Sequence, residues 1–285
     1  MFLPTTTKEV EARGWDELDV IIFTGDAYID HPAFGAAVIG RILEAEGYRV
    51  AIVPQPNWRD DLRDFKKLGK PRLFFAVSAG AMDSMVNHYT ANLRLRSNDA
   101  YTAGGKAGFR PDRTVDTYTK ILKKLYPHTP VVVGGIEASL RRLTHYDYWS
   151  DKLQQSILET SGADLLVYGM GDKPIREVAK AMRNGFNMKL LRGLRQVGFM
   201  CDKEYVERLY NAKTIVLNSY EECVKDKTKF GKNFTEIETL SNMMECNTTL
   251  VEQCGDRYVV ITPPHETLTT EELDHSFDLP YERAP

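Results

Sequence analysis

The stretch TPVVVGGIEASL, Thr129 to Leu140, decides the fold class. Pro130 to Val133 is a short, continuously apolar run, and it ends in Gly134-Gly135 and then Glu137. A strand with one wet face alternates apolar and polar residues, whereas a strand covered on both faces runs apolar without a break. Four more runs of this kind occur: Asp19–Phe23, Tyr48–Val53, Arg72–Val77 and Asp164–Tyr168. Helical spacing separates them over Ala33–Gly47, Thr114–Tyr126, Trp149–Glu159 and Lys173–Asn184. Gly47 stands where a C-cap belongs, and Pro174 sits in a first turn, where its missing N–H costs nothing. Strands alternating with helices predict an α/β fold, a doubly wound, mainly parallel sheet of flavodoxin-like type.

That pattern extends through position 198, the expected end of the first domain. Residues 199–285 read as a mixed α/β extension. Arg195–Met200, Lys213–Leu217 and Arg257–Ile261 are candidate strands, and Glu221–Val251 is long, polar and helical in character. The tail from His265 to Pro285 is acidic, carries prolines and lacks periodicity, which predicts a linker.

The chain has 285 residues, 42% hydrophobic and 27% charged, which suits a globular protein with a sizeable core. Its formal net charge of -3 offers no field for nucleic acid or an anionic membrane. No apolar run approaches the roughly 20 residues of a spanning helix, and no signal peptide opens the chain, so a cytoplasmic protein is expected. Cys201, Cys223, Cys246 and Cys254 are spaced 22, 23 and 8 positions apart. This is neither a paired zinc pattern nor a disulfide framework, and it predicts reduced, core-packed thiols.

In a doubly wound sheet, ligands bind beyond the carboxyl ends of the strands. Here those ends share a composition. They read Thr24-Gly-Asp-Ala-Tyr-Ile-Asp-His31, Ser78-Ala-Gly-Ala-Met82, Gly134-Gly-Ile-Glu-Ala-Ser139 and Tyr168-Gly-Met-Gly-Asp172. Glycine permits close approach of the backbone, and a following helix N-terminus favours polar or anionic groups. The expected site residues are Gly25, Asp26, His31, Ser78, Gly80, Gly134, Gly135, Glu137, Gly169 and Gly171. The glycines would offer N–H donors, while Asp26 and Glu137 would accept from ligand amides or hydroxyls.

Phosphate motifs fit poorly. Pro174 replaces the third glycine of GxGxxG, and Gly105-Lys106 is followed by Ala107 rather than Ser or Thr. A cobalamin-binding sheet uses a first-loop histidine, Ser-x-Leu after its third strand and Gly-Gly after its fourth. His31, Ser78 and Gly134-Gly135 occupy those places, but Ile29, Phe34 and Gly80 break the flanking pattern. Arg141-Arg142 could hold a carboxylate or phosphate. The favoured reading of that segment is structural, with Tyr146, Tyr148 and Trp149 packed beneath the next helix and His145 paired with Asp147. Met243-Met244 is expected in the core.

At these residues the sequence resembles the YgiQ-type radical SAM proteins. The segments that carry the likeness include TGDAYIDHPAFGAAVIGRILEAEGYRV, VSAGAMDSMVNHYTA, GGKAGFRPDRTVDTY, VVVGGIEASLRRLTHYDYWSDKLQQSIL, ADLLVYGMGDKPI and DRYVVITPP with LPYERAP, and they span nearly the whole chain. The resemblance implies the amino-terminal portion of a longer enzyme. A following barrel would hold a [4Fe-4S] cluster on CxxxCxxC and cleave S-adenosylmethionine to a radical. This chain has no CxxxCxxC, so no cluster ligand is assigned to it. The resemblance also implies a cobalamin-binding type of domain, with cobalamin a possible guest and the chain's own radical SAM domain as its partner. The alternatives are a non-catalytic docking domain that shields the radical and a free-standing nucleotide-binding domain. The substrate is left open, and the chain alone is expected to be inactive.

Overall fold

A computed structural model describes residues 1–209, 211 and 213–285. Its strands are β1 (Val20–Thr24), β2 (Val50–Pro54), β3 (Phe74–Ser78), β4 (Val131–Gly134), β5 (His145–Asp147), β6 (Lys152–Gln154), β7 (Leu165–Val167), β8 (Val197–Cys201), β9 (Thr214–Val216), β10 (Thr249–Cys254) and β11 (Arg257–Ile261). Its helices are α1 (Thr7–Ala12), α2 (Gly35–Ala45), α3 (Arg63–Lys66), α4 (Ser84–His88), α5 (Thr114–Leu125), α6 (Gly135–Leu140), α7 (Ile157–Ser161), α8 (Asp172–Arg183), α9 (Lys203–Leu209), α10 (Tyr220–Lys225), α11 (Lys227–Ser241) and α12 (Thr270–Phe277).

One sheet runs in the order β2-β1-β3-β4-β7-β8-β11-β10-β9. Its first five strands are parallel and follow the order 2-1-3-4-5 of flavodoxin-like sheets, as expected from the strand-helix alternation. β8 pairs antiparallel with β7, β11 antiparallel with β8 and β10 antiparallel with β11, while β9 lies parallel to β10. Position 198 falls inside β8, and the sheet continues through it without a break.

The continuous apolar strands supply two cores, because alternate residues face opposite sides. Ile22, Ile52, Phe74, Val132 and Val167 pack against Ile42 and Leu43 of α2 and Val178 and Ala179 of α8. Ile21, Phe23, Phe75, Val131 and Val133 pack against Val115, Tyr118 and Leu122 of α5 and Leu158 of α7.

Several local expectations are corrected. Residues 149–159 are not one helix: β6 pairs with β5 as a hairpin, and a helix starts only at Ile157, capped by Ser156. Tyr146 and Tyr148 are therefore half exposed, and Asp147 pairs with Arg113 at 2.6 Å rather than with His145, whose Nδ1 donates to the Leu143 carbonyl. The long polar segment from Glu221 breaks into α10 and α11, and its end becomes β10. Met243 and Met244 are exposed, at 49% and 90%. The tail contains α12, begun by a capping box of Thr269 and Glu272, and Leu279 and Tyr281 are buried. Its last residues bridge to Asp30, which accepts from the Glu282 and Arg283 N–H groups and donates to the Ala284 carbonyl.

Candidate functional site

A cleft of about 330 Å³ opens between α2 and α8 at the carboxyl ends of β1, β3, β4 and β7. The topology creates it. The chain leaves β1 toward β2 on one side and returns toward β3 on the other, so the covering helices part at this switch point. Ile22, Ala76, Val132 and Val167 form its floor, and Val38, Ile39 and Ile175 form its walls. Three helix starts rim it, at Gly35, Gly135 and Asp172. Its lining is apolar apart from Ser78, backbone amides and Asp172, whose carboxylate accepts from Ser276 Oγ in the tail at 3.1 Å.

Of the ten residues singled out from the sequence, Ser78, Gly80, Gly134, Gly135, Gly169 and Gly171 line this cleft. Gly25, Asp26, His31 and Glu137 do not. Gly25 is a packing glycine: a β-carbon there would stand 2.3 Å from the Ala79 carbonyl oxygen, where two strand-end loops meet. Asp26 is buried, accepts from the Ala81 N–H at 2.6 Å and pairs with Arg110 at 2.7 Å. Burial pushes its carboxyl upward, with Arg110 opposing. Its carboxylate fills the space beside Gly80, so a side chain at Gly80 would collide with it. His31 Nδ1 accepts the Ala33 N–H at 3.0 Å, a local turn contact. Glu137 is fully buried and accepts from the N–H groups of Ser84 (3.0 Å) and Val115 (2.9 Å). It thus ties α6 to the first turns of α4 and α5. Burial raises its carboxyl, partly offset by Arg141.

Arg110, Val38, Ile39 and Asp172 were not picked out by sequence reasoning. Fully buried Arg110 joins Asp26 to Asp99 (3.0 Å) and donates to the Ala79 carbonyl (2.9 Å). It pins the irregular segment between α4 and α5 onto the strand ends. Its signal was only its place within a family-like segment. The wall residues of α2 carry the helical spacing of any core helix, which hides their second role.

The chain does not suit an iron–sulfur cluster. Its four cysteines are free and buried, and no group of three or more His, Cys, Asp or Glu is placed to hold a metal among the described residues. Burial pushes the thiols of Cys201 and Cys223 up to about 11 and that of Cys254 up to about 12, which disfavours the thiolate a metal needs.

Comparison with known proteins gives the family. The radical SAM N-terminal family matches residues 2–285. This chain belongs to the radical SAM N-terminal family. It is 58% identical over 291 residues to a UPF0313 protein of Porphyromonas gingivalis, covering 100% of this chain and 44% of that protein. A UPF0313 protein of Bacteroides thetaiotaomicron is 57% identical, covering 100% of this chain and 47% of its own length. One from Geobacter sulfurreducens is 46% identical, covering 100% and 46%. The radical SAM N-terminal chain thus spans about half the length of the curated relatives it matches. The YgiQ-type likeness read from the sequence agrees with this membership. Among the described residues of this radical SAM N-terminal chain, no helix is long and apolar enough to cross a membrane.

Proposed function

We propose that this chain is the binding domain of a radical SAM enzyme, and that the cleft between α2 and α8 holds the flat, uncharged end of a cofactor or substrate. The supporting observation is the cleft's depth and character: it reaches mid-strand Ile22, Ala76 and Val132 and meets mainly apolar side chains there. Its volume is that of a small-molecule site. A planar ring would slide between the sheet and the two helices, and polar atoms at the rim would meet Ser78 and the amides of Gly35 and Gly135. The nucleotide tail of a corrinoid has this shape, which makes cobalamin the ligand to try first. The chemistry of a [4Fe-4S] cluster and S-adenosylmethionine would come from the rest of the full-length protein.

The test is a titration of the 285-residue chain with cobalamin, followed in the visible spectrum and by calorimetry. Saturable binding that is lost in Val38→Trp, which fills the cleft, supports the reading. Failure to bind cobalamin and free benzimidazole alike overturns it.

A second reading, a docking domain that covers a catalytic barrel, draws on the exposed apolar side chains at the same edge. Val86, Leu140 and Met170 follow the ends of β3, β4 and β7 and are 42%, 59% and 60% exposed. Co-purification of separately expressed halves of the full-length protein tests it, with no association counting against it.

A further inference from the structure

A second cavity, of about 580 Å³, lies between α6, the β5–β6 hairpin and α11. It shares no lining residue with the cleft between α2 and α8. Its apolar side is built from Leu140, Phe230, Phe234 and Ile237. Its polar side carries Trp149, the ion-paired Asp83, Arg141 and Asp147, and Arg142, which also borders an adjoining cavity with Ser139 and Tyr168.

Arg142 is an arginine without an ion pair. No carboxylate lies within 4 Å of its guanidinium among the described residues, although its neighbour Arg141 pairs with Asp83 and Arg113 pairs with Asp147. Nη1 donates to the Ser139 carbonyl at 2.7 Å, while Nε is buried and meets no acceptor. The guanidinium lies 5.4 Å from the centre of the Tyr168 ring, a cation–π contact that orients it. Trp149 Nε1 is a second buried donor without a partner among the described residues. Burial lowers the pKa of Arg142, with Tyr168 and Glu238 opposing, so the lost hydration is only partly made good. Glu238, an exposed carboxylate, also borders the cavity. Leaving a buried donor unpaired costs roughly 1–3 kcal/mol, more when it is charged, so a site that keeps such donors beside an apolar cavity is poised for an acceptor.

We propose that this cavity binds an anionic small molecule with an apolar, ring-like body, its carboxylate or phosphate held by Arg142 and its body laid against Phe230, Phe234 and Leu140. Trp149 Nε1 supplies a further donor. The guanidinium fork matches two oxygens of either anion, and the aromatic wall selects against small inorganic ions.

Calorimetry of the 285-residue chain with benzoate, phenyl phosphate and the neutral benzyl alcohol tests this, independently of whether the first cleft binds cobalamin. At least one anion is expected to bind saturably, and the alcohol at least about tenfold more weakly, since a charge-assisted hydrogen bond is lost. Which anion binds tells carboxylate from phosphate recognition. Arg142→Gln should weaken the anion by a similar factor, and Glu238→Gln, which removes a competing charge from the surface, should tighten it. Three results overturn the proposal: no saturable binding of either anion, equal binding of benzyl alcohol, or affinity unchanged in Arg142→Gln. Should Arg142→Gln fail to fold, unchanged affinity in Glu238→Gln overturns it instead.

Discussion

A β-carbon on Gly135 would sit 2.6 Å from Ser78 Oγ, so the second glycine after β4 is reserved for the chain's own hydroxyl. Ser78 Oγ also accepts the Gly80 N–H at 3.1 Å, which fixes the turn that follows β3. Gly134 differs: a β-carbon there would meet only the Val167 carbonyl, at 3.2 Å, beside the cleft.

Gly135→Ala is therefore expected to destabilise the chain twice over. Its φ of +80° costs a side chain about 1–2 kcal/mol, and the contact with Ser78 adds to that. Adding Ser78→Ala should recover the contact but not the backbone cost. Denaturant unfolding of the two single variants and the double variant measures this. Strict additivity would mean that the two residues do not compete for the space.

Asp30 and Arg41 form a fully buried ion pair, and Arg41 Nε donates to Asp30 Oδ1 at 3.0 Å. The tail depends on it, because Asp30 Oδ2 also accepts the Glu282 N–H. Asp30→Ala should cost about 3 kcal/mol, since buried Arg41 then keeps only the partly exposed Glu44 as its carboxylate partner. It should also expose the segment after Phe277 to protease while the core stays folded. A tail as resistant as wild type would show that its docking does not rest on this pair. Burial works against the charged Asp30, but the Arg41 hydrogen bonds and the Glu282 N–H outweigh it and hold the carboxyl below its usual range. The stability it contributes is thus present above the unfolded carboxylate pKa of about 4 and lost as pH falls through its lower folded value.

Glu252 has the opposite sign. Burial pushes its carboxyl up to about 7, partly offset by the hydrogen bond it accepts from the Thr144 N–H at 2.8 Å. Between about pH 4.3 and its folded value, the native state keeps a proton that the unfolded chain releases, so stability falls as pH rises, by on the order of 3 kcal/mol over that window. Glu252→Gln cannot ionise. Its melting temperature relative to wild type should rise from pH 5 to pH 8. A difference that stays flat across this range would place the Glu252 pKa near its ordinary value.

The raised thiols of Cys201, Cys223 and Cys254 predict slow chemistry. Under native conditions at pH 8, iodoacetamide should label them only as fast as the chain opens, and all should react promptly in denaturant. Mass spectrometry at timed intervals reads this out. Rapid native labelling of Cys254 would contradict its burial.

The five parallel strands were legible because each is an unbroken apolar run, and the helices α2, α5 and α8 because their apolar spacing repeats. The hairpin β5–β6 was not. Its segment holds Tyr146, Tyr148 and Trp149 at spacings that suit a helix equally well, and only pairing across the hairpin chooses between them. β10 was hidden for the same reason, since its partners β9 and β11 are set by the sheet rather than by its own residues. Met243 and Met244 carried an apolar signature but follow the end of α11, where they are left half and almost fully exposed. In the tail, Leu279 and Tyr281 are too few to show a period, yet both are buried.

By itself the sequence determined the fold class, the family and the small residues at the carboxyl edge, because apolar runs, helical periods and motif likeness are local properties of the chain. Tertiary structure alone decided what those small residues do. Gly25, Gly80 and Gly135 make room for Ala79, Asp26 and Ser78, whereas a β-carbon at Gly134, Gly169 or Gly171 would meet Val167, Gln196 or Ile39 less tightly, at 3.2, 3.4 and 3.1 Å. Likewise, only folding pairs Arg110 with Asp26 and leaves Arg142 Nε buried without an acceptor among the described residues. The physical reason is that a side chain's partner is chosen by the meeting of distant segments, which no spacing along the chain encodes.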